Sequence, residues 1–346
     1  MQGHGAPCRL IDGEEVYPAM TTTPRQQRDA ESPELAALQA RRLVNWRQTE
    51  ATRLPDSAAA VELIERVGVA TLYPVTPELP NLYHAYVGDP TRPTDSQWDS
   101  PSGHVYAWRW ELGGREAAFY SVLARRRPTL IAWSMLPALL RLCGELRTPD
   151  ELYDAGALSN EAYRVAAALE SAGGTLTTGQ LRKEAGFPTG KPQRAAYLKA
   201  VDELDSRLLL AKVFSPRHED GGDEAGTETG REAAGTETGG EAAGTETGGE
   251  AAMGHALVRL RYPERVAAAE ALTREEALDR FLHTYLRAAV YAVPPVLARA
   301  LRLADDEVRT GLRRLEQEGV AEPLLSGDDK GKKAPWYRYP DHGSEE

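Results

Sequence analysis

Two cysteines, Cys8 and Cys143, are all that 346 residues contain. That count excludes a disulfide framework and a four-cysteine zinc site, and it predicts a reducing, cytoplasmic setting. No run approaches the roughly 18 apolar residues of a membrane span. The best stretch, 129–143, is broken by Ser134, Pro137 and Arg141. The opening MQGHGAPCRLIDGEE has no basic region followed by an apolar one, as a secretory leader would need. The spacings GxxxxGK[ST], GxGxxG after a strand, HExxH and CxxC are also missing. The seven histidines, His4, His84, His104, His218, His255, His283 and His342, are scattered without a ligand spacing. Neither a metal nor a cofactor is therefore expected.

The formal charge of −11 argues against a polyanionic partner only until it is located. Residues 219–250 hold ten carboxylates against the single Arg231, a net of −9, so the remaining chain carries −11 + 9 = −2. Within this segment Gly-Thr-Glu-Thr-Gly begins at Gly226, Gly235 and Gly244, a nine-residue period. It is too polar and glycine-rich to bury anything. It reads as an inert expanded loop, which exposed tips tolerate, or as a polyanion that mimics DNA or acts as a self-inhibitory flap.

Residues 1–31 lack an apolar period and read as a disordered extension. A helix follows around Leu35, Leu38, Leu43 and Trp46. Pro55-Asp56-Ser57 opens a second, which runs through Ala60, Val61, Ile64 and Val67 to Gly68. The pattern then predicts a strand over 69–73, a proline-studded loop to Pro101, a strand over 104–110, and helices over 117–126 and 130–142. From Ser159 the order becomes regular. Helices start at Ser159, at Thr177-Thr178 and over 191–207, the last with Leu198, Val201 and Leu204 on one face, and strands follow over 208–214 and 255–262. The order recurs with a helix over 273–291 opened by the Thr273–Glu276 capping box, helices at Pro294-Pro295 and Asp305-Asp306, and strands over 320–325 and 335–339.

Three helices and then a hairpin is the winged-helix order, a variant of helix-turn-helix. The expected fold is mainly α with small β-hairpins, an α+β class of tandem winged-helix domains. The boundaries fall at 1–31 for the extension, 32–150 for an N-terminal winged-helix-like domain, 151–265 for a domain with the acidic insertion 219–250 in its wing, 266–340 for a C-terminal domain and 341–346 for a tail.

Candidate phosphate contacts are the clustered cations, because positive charge supplies most sequence-independent affinity for nucleic acid. Residues 104–147 hold seven arginines and three glutamates, among them Arg109 and the triple Arg125-Arg126-Arg127, which the predicted helix over 117–126 would place at a helix end. The helix over 191–207 begins with Lys191, Gln193, Arg194 and Lys199. The helix after Asp305 carries Arg309, Arg313 and Arg314, and the following wing carries Lys330, Lys332 and Lys333. Trp98, Tyr106, Trp108, Trp110 and Tyr120 form an aromatic neighbourhood that reads as core, or as a surface on which bases stack.

The tandem order, with Phe119-Tyr120-Ser121-Val122-Leu123, Arg127-Pro128-Thr129-Leu130-Ile131 and Leu136-Pro137, resembles the AlkZ/YcaQ-like winged-helix superfamily, most closely its AlkZ-related branch, over about residues 55–340. The resemblance implies a DNA-related role. Characterised members of that superfamily are DNA glycosylases that remove alkylated or crosslinked bases with a Gln-x-Gln or Gln-x-Asp motif. The comparable place here reads Val69-Ala70-Thr71-Leu72-Tyr73-Pro74, with Thr71 and Tyr73 where the resemblance puts the catalytic pair. Neither is a base at neutral pH, tyrosine having a reference pKa of about 10.

Three functions stand at this stage. The first is a monomeric DNA-binding protein linked to repair, taking duplex that is damaged or distorted, without the usual catalytic motif. The second is a divergent glycosylase, for which Glu62, Glu65, Glu78 and His84 are the nearest acid or base groups. The third is a winged-helix module with a protein partner. No membrane partner is expected.

Overall fold

The computed structural model describes residues 33–187, 190–215, 252–324 and 336–340. The N-terminal extension, the acidic repeats and the lysines at 330, 332 and 333 lie outside the described residues.

The first unit opens with α1 (Pro33–Asn45) and α2 (Ser57–Val67). Asp56 caps α2 by accepting from the Ala59 N–H, and Gly68 closes it at φ 79°, a backbone region that favours glycine. Strand β1 (Val69–Thr71), α3 (Leu82–Val87), α4 (Pro101–Gly114), β2 (Phe119–Ser121) and β3 (Thr129–Ile131) follow, and α5 (Leu136–Cys143) leads out. β3 lies between the other two strands, with Ile131 opposite both Val69 and Phe119.

Several expectations for this unit are corrected. Residues 104–110 are helical. Ser100 caps α4 by accepting from the Ser102 and Gly103 N–H groups, and Pro101 supplies a first-turn φ already suited to helix. Val105, Trp108 and Leu112 are buried at helical spacing. Tyr106 and Trp110, which suggested alternation, pack instead against Trp98 and Phe214. The helix predicted over 117–126 is β2 followed by one 3₁₀ turn, Ala124–Arg126. The helix over 130–142 is β3 followed by α5, and the loop before Pro101 contains α3, capped by Asn81.

The second unit comprises α6 (Pro149–Asp154), α7 (Asn160–Ala172), β4 (Leu176–Thr177), α8 (Thr178–Glu184), α9 (Lys191–Asp205), β5 (Leu210–Ser215) and β6 (Ala252–Leu257). Strand β6 is central, with His255 opposite both Leu176 and Lys212. The buried side of α9 carries Tyr197, Val201 and Leu204, while Leu198 is exposed. The strand expected to reach residue 262 stops at Leu257, and the short α10 (Val258–Arg261) takes over.

The third unit adds α11 (Pro263–Glu270), α12 (Arg274–Ala289), β7 (Tyr291–Ala292), α13 (Pro294–Leu301), α14 (Asp305–Gln317), β8 (Glu322–Leu324) and β9 (Trp336–Arg338). The Thr273–Glu276 capping box opens α12, and β9 is the central strand. All three sheets thus take the order first, third, second, and all are antiparallel. The molecule is an α+β fold.

Two principal cores serve these three sheets. One runs from Trp46 through Leu130 and Phe281 to Tyr337, so the first and third units share their apolar interior. The other, including Leu169, Leu181, Phe187 and Leu204, belongs to the second unit. Phe214 of β5 crosses between units: its ring stacks edge-on with Trp110 and Tyr120. Gly113 permits this contact, because a Cβ there would overlap the Phe214 ring.

Candidate nucleic-acid interface

Thr71 is fully buried at the end of β1, where its hydroxyl donates to the Tyr73 carbonyl at 2.7 Å. Tyr73 reaches sideways to α4 and donates its hydroxyl to the Ser102 carbonyl at 2.8 Å. Burial raises the Tyr73 pKa further above its ordinary value, and neighbouring Tyr106 adds to the shift. The phenol therefore stays protonated, and neither residue offers a base to activate water.

The alternative acid and base groups are not brought together. Glu62 and Glu65 are exposed on α2, with Glu65 accepting from the Ser134 hydroxyl at 3.0 Å. His84 has both ring nitrogens engaged, Nδ1 3.2 Å from the Asn81 amide and Nε2 3.2 Å from the Arg92 carbonyl. Burial lowers its pKa.

Glu78 is a structural anion. It is buried against Arg42 of α1 and accepts hydrogen bonds from the Tyr285 hydroxyl and the Val293 N–H. Arg42 also donates to the carbonyls of Ala289 and Tyr291 and lies over the Tyr291 ring. Burial alone would depress the arginine, but Glu78 and its tyrosine neighbours hold it above its usual range. Every polar atom of the Glu78 carboxylate has a partner, which is how a buried charge is tolerated. Cys143 is similarly inert, since burial pushes its thiol up to about 12. Among the described residues no group of histidine, cysteine and carboxylate side chains could hold a metal.

The cations fall into three sets. Arg125, Arg126 and Arg127 are exposed on the β2–β3 turn and not at the end of an α-helix of their own. Arg125 and Arg126 have φ of 48° and 61°, a positive-φ pair that non-glycine residues seldom adopt. Arg125 donates to the Val75 carbonyl at 3.5 Å, and Arg126 forms an ion pair with Asp202 of α9.

The second set is on α9, where Lys191, Gln193, Arg194 and Lys199 are all exposed. None of these three cations forms an ion pair among the described residues. In the third set, on α14, two of the three arginines are paired with carboxylates of their own unit. Arg309 pairs with Asp305 at 2.9 Å, Arg313 donates to the Arg309 carbonyl, and Arg314 grips Asp279 through two bonds of 3.1 and 2.7 Å.

Arg109 departs from the expected phosphate contact. It is 8% exposed, with its guanidinium 3.8 Å from the Tyr106 ring centroid and a bond to the Tyr106 hydroxyl. Helical spacing puts it on the inner side of α4, which a strand reading could not anticipate. Sequence reasoning also missed Asp202, the acidic partner of the arginine turn; nothing local distinguishes it from any other helix carboxylate.

Among the described residues a helix, a short strand, two helices and a hairpin whose last strand is central recur three times, and one exposed arginine turn lies beside one basic helix. The model of the AlkZ-related family matches residues 54–252, more than half of the chain, and the chain belongs to that family. Among solved structures, the DNA glycosylase AlkZ of Streptomyces sahachiroi matches with a TM-score of 0.46 and 13% identity, covering 88% of this chain and 70% of that one. No curated protein matches. Among the described residues no helix is long and apolar enough to cross a membrane.

Proposed function

We propose that this chain is a repair-linked protein of winged-helix architecture that binds duplex DNA and does not itself excise bases. The strand order first, third, second behind each pair of helices supports the winged-helix reading. In that reading α9 is the helix that approaches the major groove, and the β2–β3 turn is the wing of the first unit. The observation that carries the proposal is the juxtaposition of these two elements through Arg126 and Asp202. It sets three exposed arginines beside a helix whose lysines at 191 and 199 and whose Arg194 form no ion pair among the described residues. Phosphates need such uncompensated charge. Arg309 and Arg314 of α14, each paired with a carboxylate, contribute less.

The absence of base excision rests on Thr71 and Tyr73, one buried and the other held protonated. Membership of the AlkZ-related family motivates a direct test. Fluorescence anisotropy with intact, nicked and alkylated duplexes in a salt series should show binding that weakens as salt rises. No binding to any of them at low salt overturns the DNA reading. Incubation with alkylated and crosslinked oligonucleotides, followed by cleavage at abasic sites, should yield no product. Cleaved product would replace the non-excising reading with a divergent glycosylase.

A further inference from the structure

Trp98 is the large apolar side chain that folding explains least. The residue is 65% exposed, while Trp46 and Trp108 are buried. The backbone beneath it is nevertheless firmly held. Asp95 receives the Gln97 N–H on its carboxylate at 3.0 Å and donates its own N–H to the Ser102 hydroxyl at 3.0 Å. The Ser100 hydroxyl donates to the Gln97 carbonyl at 2.6 Å. Gly103 lets the Trp98 backbone lie directly on α4, where a Cβ would overlap the Trp98 carbonyl oxygen. One edge of the indole meets the Tyr106 ring at 5.9 Å, and Tyr106 in turn is backed by the Arg109 guanidinium. The ring is therefore propped from one side and open on the other.

Its position ties it to the proposed DNA surface. Residues 73–75 take a contact from each side: the Tyr73 hydroxyl bonds to Ser102 beside the Trp98 loop, and the Val75 carbonyl accepts from Arg125 of the arginine turn. Asp95 and Asp99 adjoin the ring in sequence and repel phosphate, so phosphate contact falls to the arginine turn and not to this edge. We propose that Trp98 stacks on a nucleobase that has left the helical stack, while the arginine turn across residues 73–75 holds the strand's phosphates. The inference rests on the duplex-binding reading above and specifies what part of a distorted duplex is recognised.

The test compares Trp98→Ala and Trp98→Phe with the wild-type full chain on two duplexes, one fully paired and one with a single bulged adenine replaced by 2-aminopurine. Stacking on an aromatic ring is lost on substitution by alanine, so Trp98→Ala should bind the bulged duplex about 5- to 150-fold more weakly. Its binding to paired duplex should be unchanged. Trp98→Phe should recover most of the loss, and wild-type protein should quench 2-aminopurine where the alanine variant does not. Because the ring is exposed, circular dichroism should show both variants folded.

Equal binding of wild type and Trp98→Ala to the bulged duplex overturns the inference while leaving duplex binding intact, and points to a protein partner for the ring. Equal weakening on both duplexes overturns it as well. A wild-type chain that binds neither duplex at low salt overturns both this inference and the function on which it rests.

Discussion

Arg42 of α1 and Glu78 of the loop after β1 form an ion pair at 3.2 Å, with side chains 5% and 2% exposed. Through Tyr285 and Val293 the same carboxylate fastens the first unit to the third. Glu78→Ala leaves the arginine buried without its anion, which costs about 3–5 kcal/mol. Urea denaturation should show a loss of that size. Adding Arg42→Met should recover only part of it, because the Tyr285 hydroxyl and the Val293 N–H still lack an acceptor.

The contact between Arg126 and Asp202 makes a second prediction. Arg126 gives part of its charge to Asp202, so Asp202→Asn should tighten duplex binding at low salt. Replacing Arg125, Arg126 and Arg127 with glutamine should make the dependence of log affinity on log salt shallower by up to about three phosphate equivalents. In a double-mutant cycle, removing Arg126 should matter more when residue 202 is asparagine. A simple sum of the two effects would show that Arg126 and Asp202 act independently in binding.

His255 gives a pH signature. Its ring is buried, with Nε2 3.1 Å from the Thr178 hydroxyl and Nδ1 3.5 Å from the Lys212 ammonium, which itself pairs with Asp205 at 3.0 Å. Burial, with Lys212 adding repulsion, pushes the imidazole well below its ordinary value. Below pH of about 6.5 the unfolded chain takes up a proton that the folded chain refuses. Stability therefore falls with acidification, by up to about 1.4 kcal/mol per pH unit from this group, until the folded pKa is reached. His255→Gln should flatten the stability curve between pH 6.5 and roughly 5, measured as urea midpoints. Parallel curves for the two proteins would exclude this origin.

Deleting residues 221–251 removes eight carboxylates and Arg231, a net of −7, and leaves −11 + 7 = −4. The ladder of β5 and β6 runs to the pair Ser215–Ala252, so a short turn can rejoin the strands and the fold should persist. Duplex affinity should rise most at low salt, where screening is weakest. Unchanged affinity would make the segment an inert insertion.

The sequence was most readable where helices were long and their ends chemically marked. Asp56 and Gly68, Ser159, and the Thr273–Glu276 box stand at helix ends as their residue types require. It was least readable where strands have two or three residues. Phe119–Ser121 and Thr129–Ile131 are buried on both faces and show no alternation, so they merged into apparent helices. The central helix of the first unit was hidden by aromatic residues on its two sides, although Ser100-Pro101 marked its start. For the candidate site, the cations were visible as residue types. Their pairing was not: Arg314 with Asp279, and Arg109 folded under Tyr106, depend on tertiary neighbours at distances the local pattern does not encode.

In every sheet the strand made last is the one to which both earlier strands pair. Each unit therefore leaves the ribosome with two strands waiting for a common partner, and truncation is far more damaging than its length suggests. A stop codon just before Trp336 would remove β9, and both β7 and β8 would lose their ladder at once. Orphaned edges of that kind invite pairing with other chains. Nascent chains arrested there should accumulate as aggregates, whereas a chain ending after Pro340 retains every paired strand.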